Sequence, residues 1–357
     1  MELAESPYKK QMTFKEFTKI AFCNILLFAG VSRFLRHRYR KRLLVVTYHG
    51  VTQSKNPPSA WTLLPARIFE QQISWLAKYY NPVSLNEVLS AAATDNPLPD
   101  HSVLITLDDG FRNNMTVAYP ILKRYRIPTV IFLTVDYINS DRFFWVDELL
   151  LTILEAGKQQ ANLRLTNPQA NFLFSKKQYY EAYHMEVEYL KRKHGNERSA
   201  LLQQVVSQVG FDRSTYIDDF GMLTWPEVFK MDKEGLIEFG SHTATHRILT
   251  NTPEELLEGE LAGSKIRLEK KLGHEIRAFC YPNGQFGKDY SPEHRKLLAH
   301  YGYKCAFATD YGLYNPGKDH PLSIPRVGVG NDISARKSFY RLSMSGFFEY
   351  RKSFLSW

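Results

Sequence analysis

The sequence predicts an α/β protein of parallel strands joined by crossover helices, at a length that α/β barrels use for a single domain. Three observations carry this expectation. From residue 43 onward, short apolar runs alternate with segments whose apolar residues recur at helical spacing. The clearest of those runs are continuously apolar, as strands covered on both faces should be. Several of them also end in polar residues, which a parallel array gathers on the one face where a barrel places its active site.

The elements follow in order. LLVVTYHG (43–50) reads as a strand running into a turn, and ARIFEQQISWLAKYY (66–80) spaces Ile68, Ile73, Leu76 and Ala77 as an amphipathic helix would. Val103, Leu104, Ile105, Thr106 and Leu107 form a second strand that stops at Asp108, Asp109 and Gly110. A helix is expected around TVAYPILKRYR (116–126), then another apolar strand at IPTVIFLTV (127–135). Later strands are expected at LIEFG (236–240), RAFCY (277–281), CAFAT (305–309) and SIPRVGV (323–329), with helices over 253–273 and 291–302. Residues 140–222 break the rhythm, being polar, helical in pattern and poor in strand signals, and they read as an insertion. The expected organisation is an apolar and basic membrane-associating segment at 1–42, a barrel at 43–139 and 223–332, a helical insertion at 140–222 and an amphipathic tail at 333–357.

Composition removes several classes. Hydrophobic content of 44% and charged content of 23% are ordinary globular values. Cys23, Cys280 and Cys305 are scattered with no CxxC pair, which argues against a disulfide framework and against a cysteine zinc site. The net charge of +9 is concentrated in SRFLRHRYRKR (32–42), directly after the apolar stretch IAFCNILLFAGV (20–31). That stretch of twelve residues is shorter than the roughly 20 a spanning helix needs. Lys9, Lys10, Lys15 and Lys19 precede it like the start of an export signal, but no small-residue cleavage site follows and the basic flank opposes export. Phe14, Phe17, Ala21, Ile25 and Phe28 share one helical face, the pattern of a helix lying in a membrane surface. Nucleic acid is not an expected partner, since the basic cluster has no recognised binding motif beside it.

The polar residues at the strand ends narrow the chemistry. His49 follows the first strand, Asp108 and Asp109 the second, SHTATH (241–246) the strand LIEFG, and YPNG (281–284) the strand RAFC. His242 and His246 stand four apart, so a helical turn would point both imidazoles to one side. With one carboxylate they make a two-histidine, one-carboxylate set that leaves positions open for water and substrate. Two adjacent carboxylates repel unless a cation or a shared proton relieves them. A division of labour resolves this: one aspartate binds the cation and the other stays free to take a proton from water.

The motifs TLDDG, SHTATH, FCYPNG and YHGV resemble those of the polysaccharide deacetylase family, carbohydrate esterase family 4, over roughly residues 43–139 and 223–330. The resemblance implies a distorted (β/α) barrel of the NodB-like type and metal-dependent removal of acetyl groups from sugars. It implies Asp108 as catalytic base, Asp109, His242 and His246 as metal ligands, and the backbone N–H of Tyr281 as an oxyanion donor. The family's usual arginine, two residues before the proline of the third motif, is replaced by Cys280, and Arg326 in IPRV is the candidate substitute. The usual Leu-x-x-His motif is absent. In the branch resembling poly-N-acetylglucosamine deacetylases, the general acid comes from an early Tyr-His pair, which His49 matches. The expected cofactor is a divalent metal, Zn2+ by default, with Co2+, Ni2+ or Mn2+ suiting the same ligands. The expected substrate is an N-acetylated glycan or its lipid-linked precursor. A deformylase or deacetylase of one lipid-linked aminosugar, and a non-catalytic carbohydrate-binding protein on the same fold, are the alternatives. The enzyme is expected at a membrane surface, peripheral or monotopic, with the cytoplasmic face favoured over the extracytoplasmic one.

Overall fold

The structure, a computed structural model, describes residues 13–94, 97–193 and 195–349. Lys9 and Lys10 of the basic flank, and residues 350–357 of the expected tail, lie outside the described residues. The chain divides into two compact units. Residues 13–53, Trp61–Ser140 and residues 222–349 belong to the larger, while Ser54–Ala60 and Asp141–Gly221 belong to the smaller.

Among the described residues, the larger unit holds ten strands. They are β1 (Leu44–Tyr48), β2 (Gly50–Thr52), β3 (Leu63–Pro65), β4 (Asn81–Pro82), β5 (Ser102–Leu107), β6 (Thr129–Leu133), β7 (Ile237–Ser241), β8 (Ala278–Cys280), β9 (Cys305–Phe307) and β10 (Val327–Gly328). The main sheet runs β10-β1-β5-β6-β7-β8-β9 with every pair parallel, β4 adds to β5, and β2 and β3 pair separately. The two ends of this order meet in one short segment. Ile324 bridges Phe307 of β9, while Val327 and Gly328 pair with Val46 and Thr47 of β1. The sheet therefore closes on itself through residues 324–328, with Arg326 in the seam. This is the distorted parallel barrel the sequence predicts.

Helices make up most of the rest of each unit. In the larger unit α1 (Phe14–Phe28) and α2 (Val31–Arg38) precede β1, and α3 (Ala66–Tyr79), α4 (Leu85–Ala93) and α5 (Tyr119–Tyr125) follow. The smaller unit holds α6 (Trp145–Gln159), α7 (Pro168–Ser175), α8 (Tyr179–Lys191), α9 (Gly195–Val206) and α10 (Ile217–Phe220), packed around Leu149, Ile153, Leu190 and Val205. The larger unit resumes with α11 (Trp225–Lys233), α12 (Glu254–Glu258), α13 (Ser264–Leu272), α14 (Pro292–His300) and α15 (Lys337–Met344). Capping boxes start α1 at Thr13 and Glu16, α4 at Ser84 and Glu87, and α11 at Thr224 and Glu227. Each such cap contributes about 1 kcal/mol. Two expected helices are broken by wider turns. Residues 114–118 precede α5, where Pro120 cannot donate to a continuing ladder, and residues 259–263 separate α12 from α13 and bury Glu260 and Leu261.

The strands show why their sequences are apolar throughout. Val46, Ile105 and Ile131 pack outward in the cluster beneath the helices, whereas Val45, Leu104, Val130 and Ala278 share an inner cluster. Leu85 and Val88 of α4 join the inner cluster and plug one end. Stepping two residues along β1, β5 and β8 from Val45, Leu104 and Ala278 reaches Thr47, Thr106 and Cys280, and then the polar end of the barrel.

Gly240 of β7 marks a close approach: an added Cβ would stand 2.5 Å from the Phe132 ring and 2.9 Å from the Ala278 carbonyl oxygen. Gly240→Ala should therefore destabilise by about 1–3 kcal/mol. Urea denaturation checks this, and an unchanged midpoint would show that Phe132 yields freely.

Candidate active site

Six of the seven residues singled out in the sequence converge at the carboxyl-terminal end of the barrel. Asp108 is buried, and its two oxygens each accept a hydrogen bond from the Arg326 guanidinium at 2.8 Å. Arg326 is 1% exposed, and its three remaining N–H groups serve four acceptors: Nε reaches the Ala308 carbonyl (2.9 Å), Nη2 reaches Cys280 Sγ (3.0 Å), and one Nη1 hydrogen is shared between Thr47 Oγ1 (3.0 Å) and Thr106 Oγ1 (3.1 Å). Burial pushes the Asp108 carboxyl up, but the guanidinium charge outweighs it and holds the group below the usual carboxylate range. Burial also pushes the Cys280 thiol up, so it remains a neutral neighbour. Arg326 thus approaches Asp108 from the seam strand, the charge that Cys280 cannot supply.

Asp109 faces elsewhere. If β5 simply continued, Asp109 would point to the side opposite Asp108. Instead its φ of 77° and that of Gly110, 84°, form a left-handed turn. A Cβ at Gly110 would meet Leu133 at 3.0 Å, so glycine serves both the backbone conformation and the packing here. Asp109 Oδ1 comes to lie 3.4 Å from His242 Nε2 and 3.3 Å from His246 Nε2.

The histidines are not on a helical turn, contrary to the reading of their spacing. SHTATH leaves β7 as an irregular loop in which Thr243 (φ 65°) and His246 (φ 62°) are left-handed. The loop is held by side chains. Thr243 Oγ1 accepts from the His246 N–H at 2.9 Å, and buried Glu260 accepts from the N–H groups of Ala244 (3.0 Å) and Thr245 (2.9 Å). Glu260 is a contributor the sequence hides, because inside EELLEGELAG it reads as one more acid on a helix surface. His242 Nδ1 lies 2.8 Å from the Cys280 carbonyl, an acceptor only. Nδ1 therefore carries the hydrogen, and Nε2 is the ring atom that faces Asp109.

Asp109, His242 and His246 present donor atoms that all lie within 4.8 Å of one another. Asp109 Oδ1 is buried and makes no hydrogen bond. A carboxylate oxygen left open between two imidazole nitrogens fits a divalent cation, so these residues could hold a metal. Asp108, His242 and Cys280 also gather closely, but Arg326 already touches two of the three with its positive charge, which disfavours a second cation there.

His49 Nε2 stands 4.0 Å from Asp108 Oδ2, and its ring packs edge-on against Trp61 at 5.2 Å. Asn114 Nδ2 donates to the His49 carbonyl at 2.7 Å and fixes the backbone at that point. Tyr281 departs from expectation. Its N–H donates to the Phe307 carbonyl at 3.1 Å within the sheet, and its hydroxyl donates to the Leu322 carbonyl at 2.9 Å. Sheet pairing has consumed the donor assigned to the oxyanion, so that assignment is corrected.

Barrel and site together define a class: a parallel α/β barrel with a histidine–carboxylate cluster and an arginine-held carboxylate at its polar end, an arrangement suited to hydrolysis. The family model for polysaccharide deacetylase matches residues 95–306, and the chain belongs to the polysaccharide deacetylase family. Among solved structures it is similar to IcaB from Ammonifex degensii, with a TM-score of 0.55 and 20% identity covering 85% of this chain and 97% of that one. It is also similar to the Streptococcus pyogenes deacetylase PplD, with a TM-score of 0.53 and 17% identity covering 85% and 98%. At such identities the likeness concerns the fold. Locally it is 36% identical over 61 residues to the poly-beta-1,6-N-acetyl-D-glucosamine N-deacetylase of Escherichia coli, a match spanning 17% of this chain and only 9% of that relative.

Two variants test the supports of the site. Arg326→Leu leaves Asp108 buried without a counter-charge and should cost about 3–5 kcal/mol, read by denaturation. Glu260→Gln weakens the clamp on the histidine loop and should lower metal affinity roughly 10- to 100-fold with little change in stability, read by titration with a metal indicator. Unaltered affinity would remove Glu260 from the site's supports.

Proposed function

We propose that this chain is a metal-dependent de-N-acetylase acting on an aminosugar polymer or on its lipid-linked precursor. The observation that carries the proposal is the pair of adjacent aspartates with separate surroundings: Asp108 locked to Arg326, Asp109 open toward two histidines. The local similarity to a protein named for N-deacetylation of poly-N-acetylglucosamine supports the choice of substrate class.

Asp109, His242 and His246 would hold the cation, for which Zn2+ is the default. Bound there, it would supply Lewis acidity, polarising the acyl carbonyl and making water a better nucleophile. The remaining work falls to the protein. Asp108, fixed by two hydrogen bonds, takes a proton as water attacks the acyl carbon. The C–N bond then breaks, and the nitrogen needs a proton because an amide nitrogen leaves poorly as an anion. His49 Nε2 stands 4.0 Å from Asp108 Oδ2, on the path by which that proton can reach the leaving amine. Acetate and a free amino sugar result. Trp61, beside His49 and 42% exposed, offers an aromatic face to a sugar ring.

The proposed location is a membrane surface, cytoplasmic by the basic flank that follows α1. Phe14, Phe17, Ile25 and Phe28 are all exposed on α1, and Phe22 and Phe34 add to them. Among the described residues no single helix is long and apolar enough to cross a membrane, and α1 and α2 meet at a 70° bend. A helix lying in the interface fits this geometry. The same exposed face favours, as a second reading, deacylation of a single lipid-linked aminosugar.

Acetate release from N-acetylated glycans, with and without chelator, is the direct test. Asp108→Asn should retain metal yet lower kcat by about 100- to 10,000-fold. Asp109→Ala, His242→Ala and His246→Ala should each lose bound metal as well as turnover, read by elemental analysis. Metal loss in Asp108→Asn would make both carboxylates ligands and end the division of labour. For location, Phe17→Ser with Ile25→Ser should move the protein from the membrane to the soluble fraction while sparing turnover of a short soluble substrate.

A further inference from the structure

A groove of about 570 Å³ runs between α3 and α15, away from the catalytic cluster. Lys78, Arg336, Lys337 and Arg341 line it, and no acidic side chain does. Among the described residues none of these four cations is engaged in a salt bridge. Lys78 Nζ lies 5.5 Å from the centre of the Tyr79 ring, and the Arg341 guanidinium 5.6 Å from that of Trp75, so the charges rest on aromatic faces. Arg36 of α2 brings a further cation to Tyr79, at 5.0 Å. Gln72 lies in the same wall, 5% exposed, with an Oε1 that has no hydrogen-bond partner and an Nε2 that reaches the Ala335 carbonyl at only 3.4 Å.

Unpaired cations call for an oxyanion, and a buried amide oxygen without a partner calls for a hydroxyl donor. A phosphate next to a polyol carries both. The neighbourhood adds the rest: α15 also packs along α1, whose outward face is apolar and exposed. An anionic head and apolar chains belong together in a lipid. Single-stranded nucleic acid also suits a basic, aromatic-lined groove, but it leaves the apolar face of α1 unused.

We propose that the α3–α15 groove binds the glycerol-phosphate head of an anionic membrane lipid, and so seats the enzyme on such a surface. The proposal rests on the membrane reading above but on no assignment in the catalytic cluster. The full chain is tested by co-sedimentation with phosphatidylcholine vesicles, with and without phosphatidylglycerol. Wild type should prefer the anionic vesicles. Arg336→Ala, Lys337→Ala and Arg341→Ala combined should reduce that preference on the order of 100-fold, from about a factor of five per cation near the surface. Binding to neutral vesicles through α1, and turnover of a soluble glycan, should not change. The charge-neutral Gln72→Leu should weaken binding to anionic vesicles several-fold, a loss that diffuse electrostatics cannot produce. Undiminished preference in the triple variant overturns the proposal, as does a Gln72→Leu protein that binds like wild type. Binding of glycerol phosphate with no gain from anionic vesicles would assign the groove to a soluble ligand and overturn the lipid. A single-stranded oligonucleotide that displaces the protein from vesicles in a groove-dependent way would overturn it in favour of nucleic acid. Failure to bind any vesicle while glycan turnover persists would place the error in the membrane reading, not in the chemistry.

Discussion

The buried pair between Asp108 and Arg326 is the constraint on which the rest of the barrel end depends. Either charge alone in this interior would be strongly destabilising, and their mutual attraction repays desolvation only if the geometry is good and every donor is used. Here it is: the guanidinium spends its donors on both carboxylate oxygens, two threonine hydroxyls, a carbonyl and a thiol. These partners come from β1, β5, β8 and the residues beyond β9. Arg326 itself stands in the seam that joins the two ends of the sheet, so barrel closure and the ionisation of Asp108 are one arrangement.

That arrangement makes the neighbouring aspartate usable. With Asp108 neutralised by a fixed cation of the protein, Asp109 need not share its charge compensation. The left-handed turn at Asp109 and Gly110 then swings its carboxylate toward β7 and away from Arg326. Strand alternation alone would separate the two side chains onto opposite faces. The turn keeps both at the polar end while giving them different partners. Two identical residues, adjacent in sequence, thereby acquire different chemistry.

The surface extends the same logic of local charge and apolar area. α1 buries Cys23 but leaves most of its aromatic side chains exposed, an arrangement with no advantage in water. The cations that follow in α2, and those of the groove beside α15, lie close by in the fold. The proposed catalytic site and the proposed attachment surface lie on separate parts of the larger unit, so variants can address one without the other.

The strand positions, the parallel alternation and the polar motifs at the strand ends were legible in the sequence, because fully covered strands must be apolar on both faces and strand exits need not be. The types of residue at the site were legible for the same reason: adjacent aspartates and paired histidines have little purpose at a buried strand exit without a cation. Partners that come from distant segments were not legible. Arg326 was reached only through the family resemblance, as the candidate for the missing motif arginine, because nothing near it in sequence marks it as buried, and Glu260 looks like a solvated acid until the loop it holds is folded above it. The spacing of His242 and His246 suggested a helical turn, whereas side-chain bonds from Thr243 and Glu260 impose a left-handed loop that local periodicity does not encode. Tyr281 shows the converse, a backbone donor available in the chain and then consumed by pairing with β9. The sequence by itself determined which chemical groups stand at the ends of the strands; only the tertiary structure decided which of them meet, because burial, sheet closure and competition for hydrogen bonds act between segments hundreds of residues apart, as between Asp108 and Arg326.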